Sequence, residues 1–267
     1  MERYELKNTD KYIINTGFDL DIETFYPSVY YHLNQFRNEL VKRGDQGRVW
    51  YNLRACSYYD NFEKPKIIWQ EMTPTPRFYF DTQNFYALNT SYILNYQDPT
   101  YLYYLLSVLN SRWSHLFFRD YASGGGLGDE GLRYIKTYIQ RIAISVASKT
   151  EQNSLAQKAK DLLNLVKIEN NQRVADGSHL GDFGFGPKVR KVILDKSHRS
   201  VSELEKIARQ SRLNTKRKAE FLAWWALEQA KLEKLAKQID KLDKAIDGEV
   251  ARLYGLTSED IFALERA

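Results

Sequence analysis

Lys64-Pro65-Lys66-Ile67-Ile68-Trp69 is followed by Gln70-Glu71, by Thr73-Pro74-Thr75-Pro76 and by Arg77-Phe78-Tyr79-Phe80. The two runs rich in β-branched and aromatic residues read as strands. The proline-punctuated stretch between them reads as a loop, because proline lacks the N–H that a ladder requires. Side chains alternate along a strand, so Ile67 and Trp69 share one face and Lys66 and Ile68 the other.

Upstream, Tyr12-Ile13-Ile14 predicts a short strand ended by Asn15-Thr16-Gly17, and Arg48 to Leu53 predicts another. Between them Pro27 opens a helix, with Val29, Leu33, Phe36 and Leu40 at helical steps. Downstream, Asp98-Pro99 marks the start of a helix through Tyr121 that packs Leu102, Leu105, Leu106, Leu109, Trp113 and Leu116. The glycine cluster within Ser123–Gly128 breaks it, and a short helix from Leu132 to Ile139 follows.

The chain changes character near residue 150, where Leu, Lys, Ala and Glu take over at helical spacing. Leu155, Ala159, Leu162 and Val166 repeat as in a coiled coil. A longer helix carries Phe221, Trp225, Leu232, Leu235, Ile239, Leu242, Ile246, Val250 and Leu253, with Glu228 as a polar interruption. Two such helices can pair antiparallel, or one can pack on a partner chain. Residues 170–187 are polar and glycine-containing and read as a loop or insertion. Gly248 is expected to weaken the far end of the long helix. Gly255 reads as a C-cap, and Thr257 or Ser258 as the cap of a final short helix. The expected fold is α+β: a mixed α/β domain over 1–148, then a mostly helical, antiparallel coiled-coil-like region over 149–267.

Composition narrows the function. The 267 residues carry a net charge of +5, which permits a polyanionic partner without demanding one. Cys56 is the single cysteine, so neither a disulfide nor a cysteine-based zinc site can form within the chain. No apolar run approaches the roughly 18 residues of a membrane span. The start of the chain lacks the pattern of a signal peptide, so a cytoplasmic setting is expected. Nineteen tyrosines and five tryptophans crowd mainly into the first 140 residues. Such rings pack between strands, and they also suit wet interfaces and nucleotide bases.

Catalytic constellations do not emerge. Gly124 to Gly128 lacks the lysine and hydroxyl of a phosphate loop. Gln97-Asp98-Pro99-Thr100 is a helix start, not the Asn-Pro-Pro-Tyr of amino-methyltransferases. His32, His115, His179 and His198 are scattered, with no metal-ligand spacing. Asp60, Glu63, Lys64 and Lys66 crowd together, but not as a nuclease would arrange them around a metal. The expectation is a chain that is not an enzyme and holds no cofactor and no metal.

Several stretches, in order, resemble the TaqI-like C-terminal specificity domain of fused type II restriction–modification enzymes and related adenine methyltransferases. They are Tyr12–Ile14 through Tyr26-Pro27, Leu33 through Arg43, Trp50-Tyr51 to Arg54, and above all Phe62 to Glu71. Tyr101 through Leu109-Asn110-Ser111, Gly124-Gly125 through Arg133, Lys136 to Ile139 and Asp240 through Leu256 continue the series. Ile142-Ala143-Ile144 departs from the family's usual Ile-Pro turn, and 170–217 has no counterpart. The resemblance implies a target recognition domain that reads base edges of double-stranded DNA and positions methyltransferase or nuclease domains. It implies a spacer or docking role for the helices.

Phosphates supply most duplex affinity, whereas base edges supply sequence discrimination. The expected DNA-binding residues are Lys64, Lys66, Thr73, Thr75, Arg77, Gly124, Gly125, Arg133 and Lys136. Arg133 and Lys136 are read as three apart on one side of a short helix, which is equally the pattern of a solvated basic face. Lys188, Arg190, Lys191, Lys196, Arg199, Arg209, Arg212, Lys216, Arg217 and Lys218 form a second basic stretch, either a charged helix exterior or a set of backbone contacts. A dimer through the C-terminal helices is a further expectation. The competing reading is a protein-interaction module that docks a partner through its heptad helices, with DNA irrelevant.

Overall fold

The computed structural model of the chain describes residues 3–6, 11–87, 90–122, 131–195 and 200–266. Strand β1 (Lys66–Gln70) is followed by β2 (Met72–Thr73), β3 (Phe78–Asp81) and β4 (Ser91–Asn95). β1 is the centre of an antiparallel sheet in the order β3-β1-β4, with Ile67 opposite Phe80 and Leu94, and Trp69 opposite Phe78 and Tyr92. Both faces of β1 are buried, so its sequence reads as a continuous apolar run with one lysine in it.

Ahead of the sheet lie three short helices, α1 (Ile22–Phe25), α2 (Pro27–Asn34) and α3 (Arg37–Leu40). The two strands expected here do not form. Tyr12 is 93% exposed and no strand pairs with 12–14. Residues 48–53 fold as turns because side chains capture their backbone groups. The Asn52 amide donates to Gly17 O at 2.9 Å, Val49 N–H donates to Asn52 Oδ1 at 3.0 Å, and Arg43 Nη2 donates to Trp50 O and Asn52 O. Such local bonds offer the chain an alternative to a ladder.

Helix α4 (Pro99–Asn110) starts at Asp98, whose side chain accepts from Thr100 N–H. It is buried nearly all round, because the sheet lies on one side and a long helix on the other. The expected single helix to Tyr121 is in fact two. Ser111 leaves helical geometry at ψ 150° and caps α5 (Arg112–Phe117), which runs into a π-helical turn at Phe118–Ala122. β5 (Leu132–Arg133) and the single turn α6 (Lys136–Ile139) come next. The helix expected over Leu132–Ile139 is therefore only its second half. Leu132 and Arg133 are extended because they pair with β2.

Helix α7 (Lys149–Asp182) opens with a capping box between Ser148 and Glu151. α8 (Pro187–Leu194), α9 (Val201–Gln210), α10 (Thr215–Leu253) and α11 (Ser258–Arg266) complete the chain. α7 and α10 run antiparallel, since Lys158 pairs with Glu249 at 2.7 Å and Gln172 bonds Glu228 at 2.8 Å. The loop expected over 170–187 is confined to 183–186; α7 continues to Asp182 because its buried positions Asp176 and Leu180 face α10 and the core beyond it. α10 passes through Gly248 unbroken and ends in a Schellman motif. There Gly255 lies at φ +66°, Leu256 N–H bonds Ala251 O and Gly255 N–H bonds Arg252 O. Thr257 and Asp260 then cap α11 reciprocally.

Two cores result. The first joins Ile67, Trp69, Phe78 and Phe80 of the sheet to Leu102, Leu106 and Leu109 of α4, and to Leu155, Ala159, Leu162, Ile246 and Val250 of the long pair. Residues on both sides of position 148 thus share one core. Ser107 of α4, donating to Leu155 O at 3.0 Å, lets α4 and α7 approach closely. The second core gathers Leu180, Phe185, Ile193, Leu204, Phe221, Trp225 and Leu232 at the far end of the hairpin. The heptad positions Leu232, Ile246 and Val250 are therefore occupied within the chain. Among the described residues no helix is long and apolar enough to cross a membrane.

Candidate nucleic-acid interface

The chain leaves β1 at Gln70 and is caught at once. Glu71 N–H donates to Thr90 O at 2.8 Å, and Glu71 O accepts from Tyr134 N–H at 2.6 Å. β2 then pairs with β5, Met72 opposite Arg133 and Thr73 opposite Leu132. This two-stranded ribbon brings the Thr73–Arg77 loop beside Arg133 and Lys136, sixty residues later in the chain.

Gly131 makes the approach feasible. It sits at φ +116°, and a Cβ there would lie 2.9 Å from Pro74 N and from Thr73 C. Only glycine accepts both that conformation and that contact. Beneath the ribbon, Trp69 Nε1 donates to Tyr134 O at 2.7 Å. The Tyr134 ring stacks on Phe118 with centroids 4.3 Å apart and meets Phe78 edge-on. Its hydroxyl lies 3.0 Å from His115 Nδ1. Burial pushes the Tyr134 phenol well above its ordinary range. Burial and, less strongly, the nearby Arg119 lower the pKa of His115 and favour its neutral ring. The ribbon therefore rests on a rigid aromatic floor.

Its outer surface is polar and basic. Arg133 is exposed, and its Nη2 donates to Glu71 Oε1 at 2.7 Å. Lys136 and Thr75 are exposed and Arg77 is half-buried. Thr73 does not face solvent: it is buried, and its hydroxyl donates to Thr75 O at 2.8 Å, shaping the loop from within. Lys66 is also removed from the expected surface. It is fully buried, ion-paired with Asp81 and donating to Phe62 O. It is a structural charge because the strand that carries it is covered on both faces. Lys64 is exposed but sits at the opposite end of β1 from the ribbon, donating to Asn61 Oδ1 at 3.2 Å. Gly124 and Gly125 lie outside the described residues. Arg133 and Lys136 share the site, but as a strand residue and a helix-start residue rather than neighbours on one helix.

Sequence reasoning missed Glu71, Gly131 and Tyr134. Glu71 lay in the strand stretch already singled out, and its acid so close to a basic loop was the available signal. The demand on Gly131 arises only from the pairing of two distant segments.

An antiparallel sheet backed by helices, with a ribbon carrying exposed basic residues beyond one end of its central strand, defines an α+β module. Residues 1–144, a span that includes the whole ribbon, match the family of TaqI-like C-terminal specificity domains, and the chain belongs to that family. The family ties the chain to the sequence-specificity modules of restriction–modification systems. No curated protein matches the chain.

Proposed function

We propose that this chain recognises a specific sequence in double-stranded DNA through the β2–β5 ribbon, with Thr75, Arg77, Arg133 and Lys136 as the contacting residues. The observation that carries the reading is the convergence of two segments inside the family-matched span, one bringing Thr75 and Arg77 and the other Arg133 and Lys136, on one exposed surface. A two-stranded ribbon fits the major groove, about 12 Å wide, where each base pair presents a distinct pattern of donors and acceptors. Arg133, oriented by Glu71, suits bidentate bonding to the two acceptors of guanine. Lys136, a flexible point charge, suits a phosphate. Thr75 can bond a base edge or a backbone oxygen. The chain supplies recognition, with no cofactor, metal or catalytic group of its own, and it positions methyltransferase or nuclease domains. Leu155, Ala159, Leu162, Leu232, Ile246 and Val250 are buried within the chain, and Val166, Ile239, Leu242 and Leu253 pack partly buried against the first core, which favours this reading over docking of a partner through the heptads.

The test is selection of bound duplexes from a random pool, with sequencing of the enriched fraction. A defined consensus is expected, and it should relax at one position in Arg133→Ala. A pool that stays random, or an Arg133→Ala/Lys136→Ala chain with unchanged affinity and consensus, would overturn the reading.

A further inference from the structure

The helical tip carries the chain's excess of positive charge. Residues 183–220 contain eleven Lys or Arg against four Asp or Glu, a net +7 in a chain whose total is only +5. Everything else is therefore net negative. The excess does not fall in the span that matches the specificity-domain family.

The structure shows where these cations stand. Lys188 and Lys191 are exposed on α8, Lys206 and Arg209 on α9, Arg212 in the turn that follows, and Lys216 and Arg217 at the start of α10. None of these seven side chains has an ion-pair or hydrogen-bond partner among the described residues. The second core holds their helices together: Phe185, three residues before Lys188, packs on Phe221 of α10 with ring centroids 4.8 Å apart, and Leu213 packs on the same core between α9 and α10. Of the four acids, Glu203 is engaged in the capping box of α9 and Glu205 lies toward Lys218 at 3.8 Å, while Asp195 and Glu220 are exposed.

Part of their placement also costs stability. α7, α9 and α11 each put acid in the first turn, as the helix dipole favours. α8 and α10 have none there and carry Lys188, Lys216 and Arg217 instead, whereas Lys191 and Arg209 lie in last turns, where the dipole favours them. Seven exposed cations kept together, three of them against that preference, suit a polyanion.

We propose that the tip of the α7–α10 hairpin binds duplex DNA phosphates at a second site, outside the sequence read by the ribbon. The inference rests on the DNA-recognition reading above. It commits to duplex because the same chain carries the specificity domain. There the tip adds sequence-independent affinity and extends the footprint.

The experiment uses the full chain and a labelled 40-base-pair duplex of random sequence, titrated between 50 and 200 mM salt. Each phosphate contact contributes about −0.9 to the slope of log affinity against log salt. For Lys188→Gln/Lys191→Gln/Arg209→Gln/Arg217→Gln the slope should become shallower by about 2 to 4, with at least tenfold weaker binding at the lowest salt. The consensus selected from the random pool should not change. Helix content by circular dichroism monitors folding; if the fourfold variant melts, Lys188→Gln/Lys191→Gln alone should lose about half of that slope. An unchanged slope while the wild-type chain still selects a consensus overturns this proposal and spares the first. A shallower slope with no consensus in the wild-type chain does the reverse. Tip-dependent binding to anionic phosphatidylserine vesicles or single-stranded RNA, without any to duplex, also overturns it.

Discussion

Arg133 and Glu71 meet side chain to side chain at 2.7 Å where the β2–β5 ribbon begins. The pair is half open to water, so it adds little to stability. Its consequence is orientation: the guanidinium is held on the ribbon edge with donors left for a ligand. Arg133→Ala should cost about 1–3 kcal/mol on the cognate duplex and relax one base position. Glu71→Gln should act differently. It removes a carboxylate that repels phosphate and frees Arg133, so non-cognate affinity should rise while the cognate-to-random ratio falls several-fold. Fluorescence anisotropy on selected and scrambled duplexes reads both numbers. Equal losses on both duplexes for Arg133→Ala would assign it to phosphate instead.

Gly131 offers a test of the ribbon itself. Gly131→Ala must take φ +116° and push its Cβ to within 2.9 Å of backbone atoms of Thr73 and Pro74. Such backbone strain costs about 1–3 kcal/mol, and the cheapest relief is for the ribbon to part. The core behind it, from Trp69 to Phe118, does not depend on that contact. Urea denaturation should show a loss within that range, while sequence discrimination collapses. A variant that discriminates like the wild-type chain would show that the ribbon is not the reading surface.

The elements that were legible in the sequence are those whose reasons are local. Asp98-Pro99 starts α4, Gly255 ends α10, Thr257 opens α11, and the Phe221–Leu253 periodicity is one helix. The errors share a different cause. Residues 48–53 have strand composition but no strand to pair with, and Asn52 and Arg43 take their backbone groups. Leu132-Arg133 has helical neighbours but a partner in β2. Gln172, Asp176 and Gly177 look like loop residues, yet the second core beyond them stabilises α7 to Asp182. Lys66 and Arg133 are both basic residues in strands; only the covering of β1 on both faces separates a structural charge from an exposed one. Burial of that kind depends on the whole chain and leaves no mark at the residue.

The Lys66–Asp81 pair should behave as a structural unit. Both side chains are fully buried, and Asp81 also accepts from Gln83 N–H at 2.7 Å and Phe85 N–H at 2.9 Å. Lys66→Met leaves a buried carboxylate without its cation, a change that costs about 3–5 kcal/mol. Lys66→Met/Asp81→Asn removes both charges and should recover part of that loss. Under conditions where Lys66→Met is still folded, its duplex affinity and salt slope should match those of the wild-type chain. A shallower salt slope in folded protein would return Lys66 to the DNA surface.

Asp176 is the polar joint between the long helices. It is buried, its Oδ1 accepts from Gln172 Nε2 at 2.8 Å, the same amide donates to Glu228 Oε2, and its Oδ2 has no partner. Burial first, and the Glu228 carboxylate in addition, raise its pKa above the ordinary 3.8. A carboxyl with a raised folded pKa favours folding when protonated. That contribution is complete below 3.8 and is lost as pH rises through the folded value. At pH 7 the ionised group is therefore a burden, and Asp176→Asn keeps the acceptor for Gln172 and removes the charge that burial and Glu228 oppose. The variant should be more stable at pH 7 by on the order of 1 kcal/mol, the scale of a modest pKa displacement. The gain should shrink as pH falls toward 4, where the native aspartate is neutral as well. Urea midpoints at the two pH values measure the difference. A variant that is destabilised equally at both would mean that the ionised carboxylate, rather than its hydrogen-bonding shape, sets the pairing of α7 with α10.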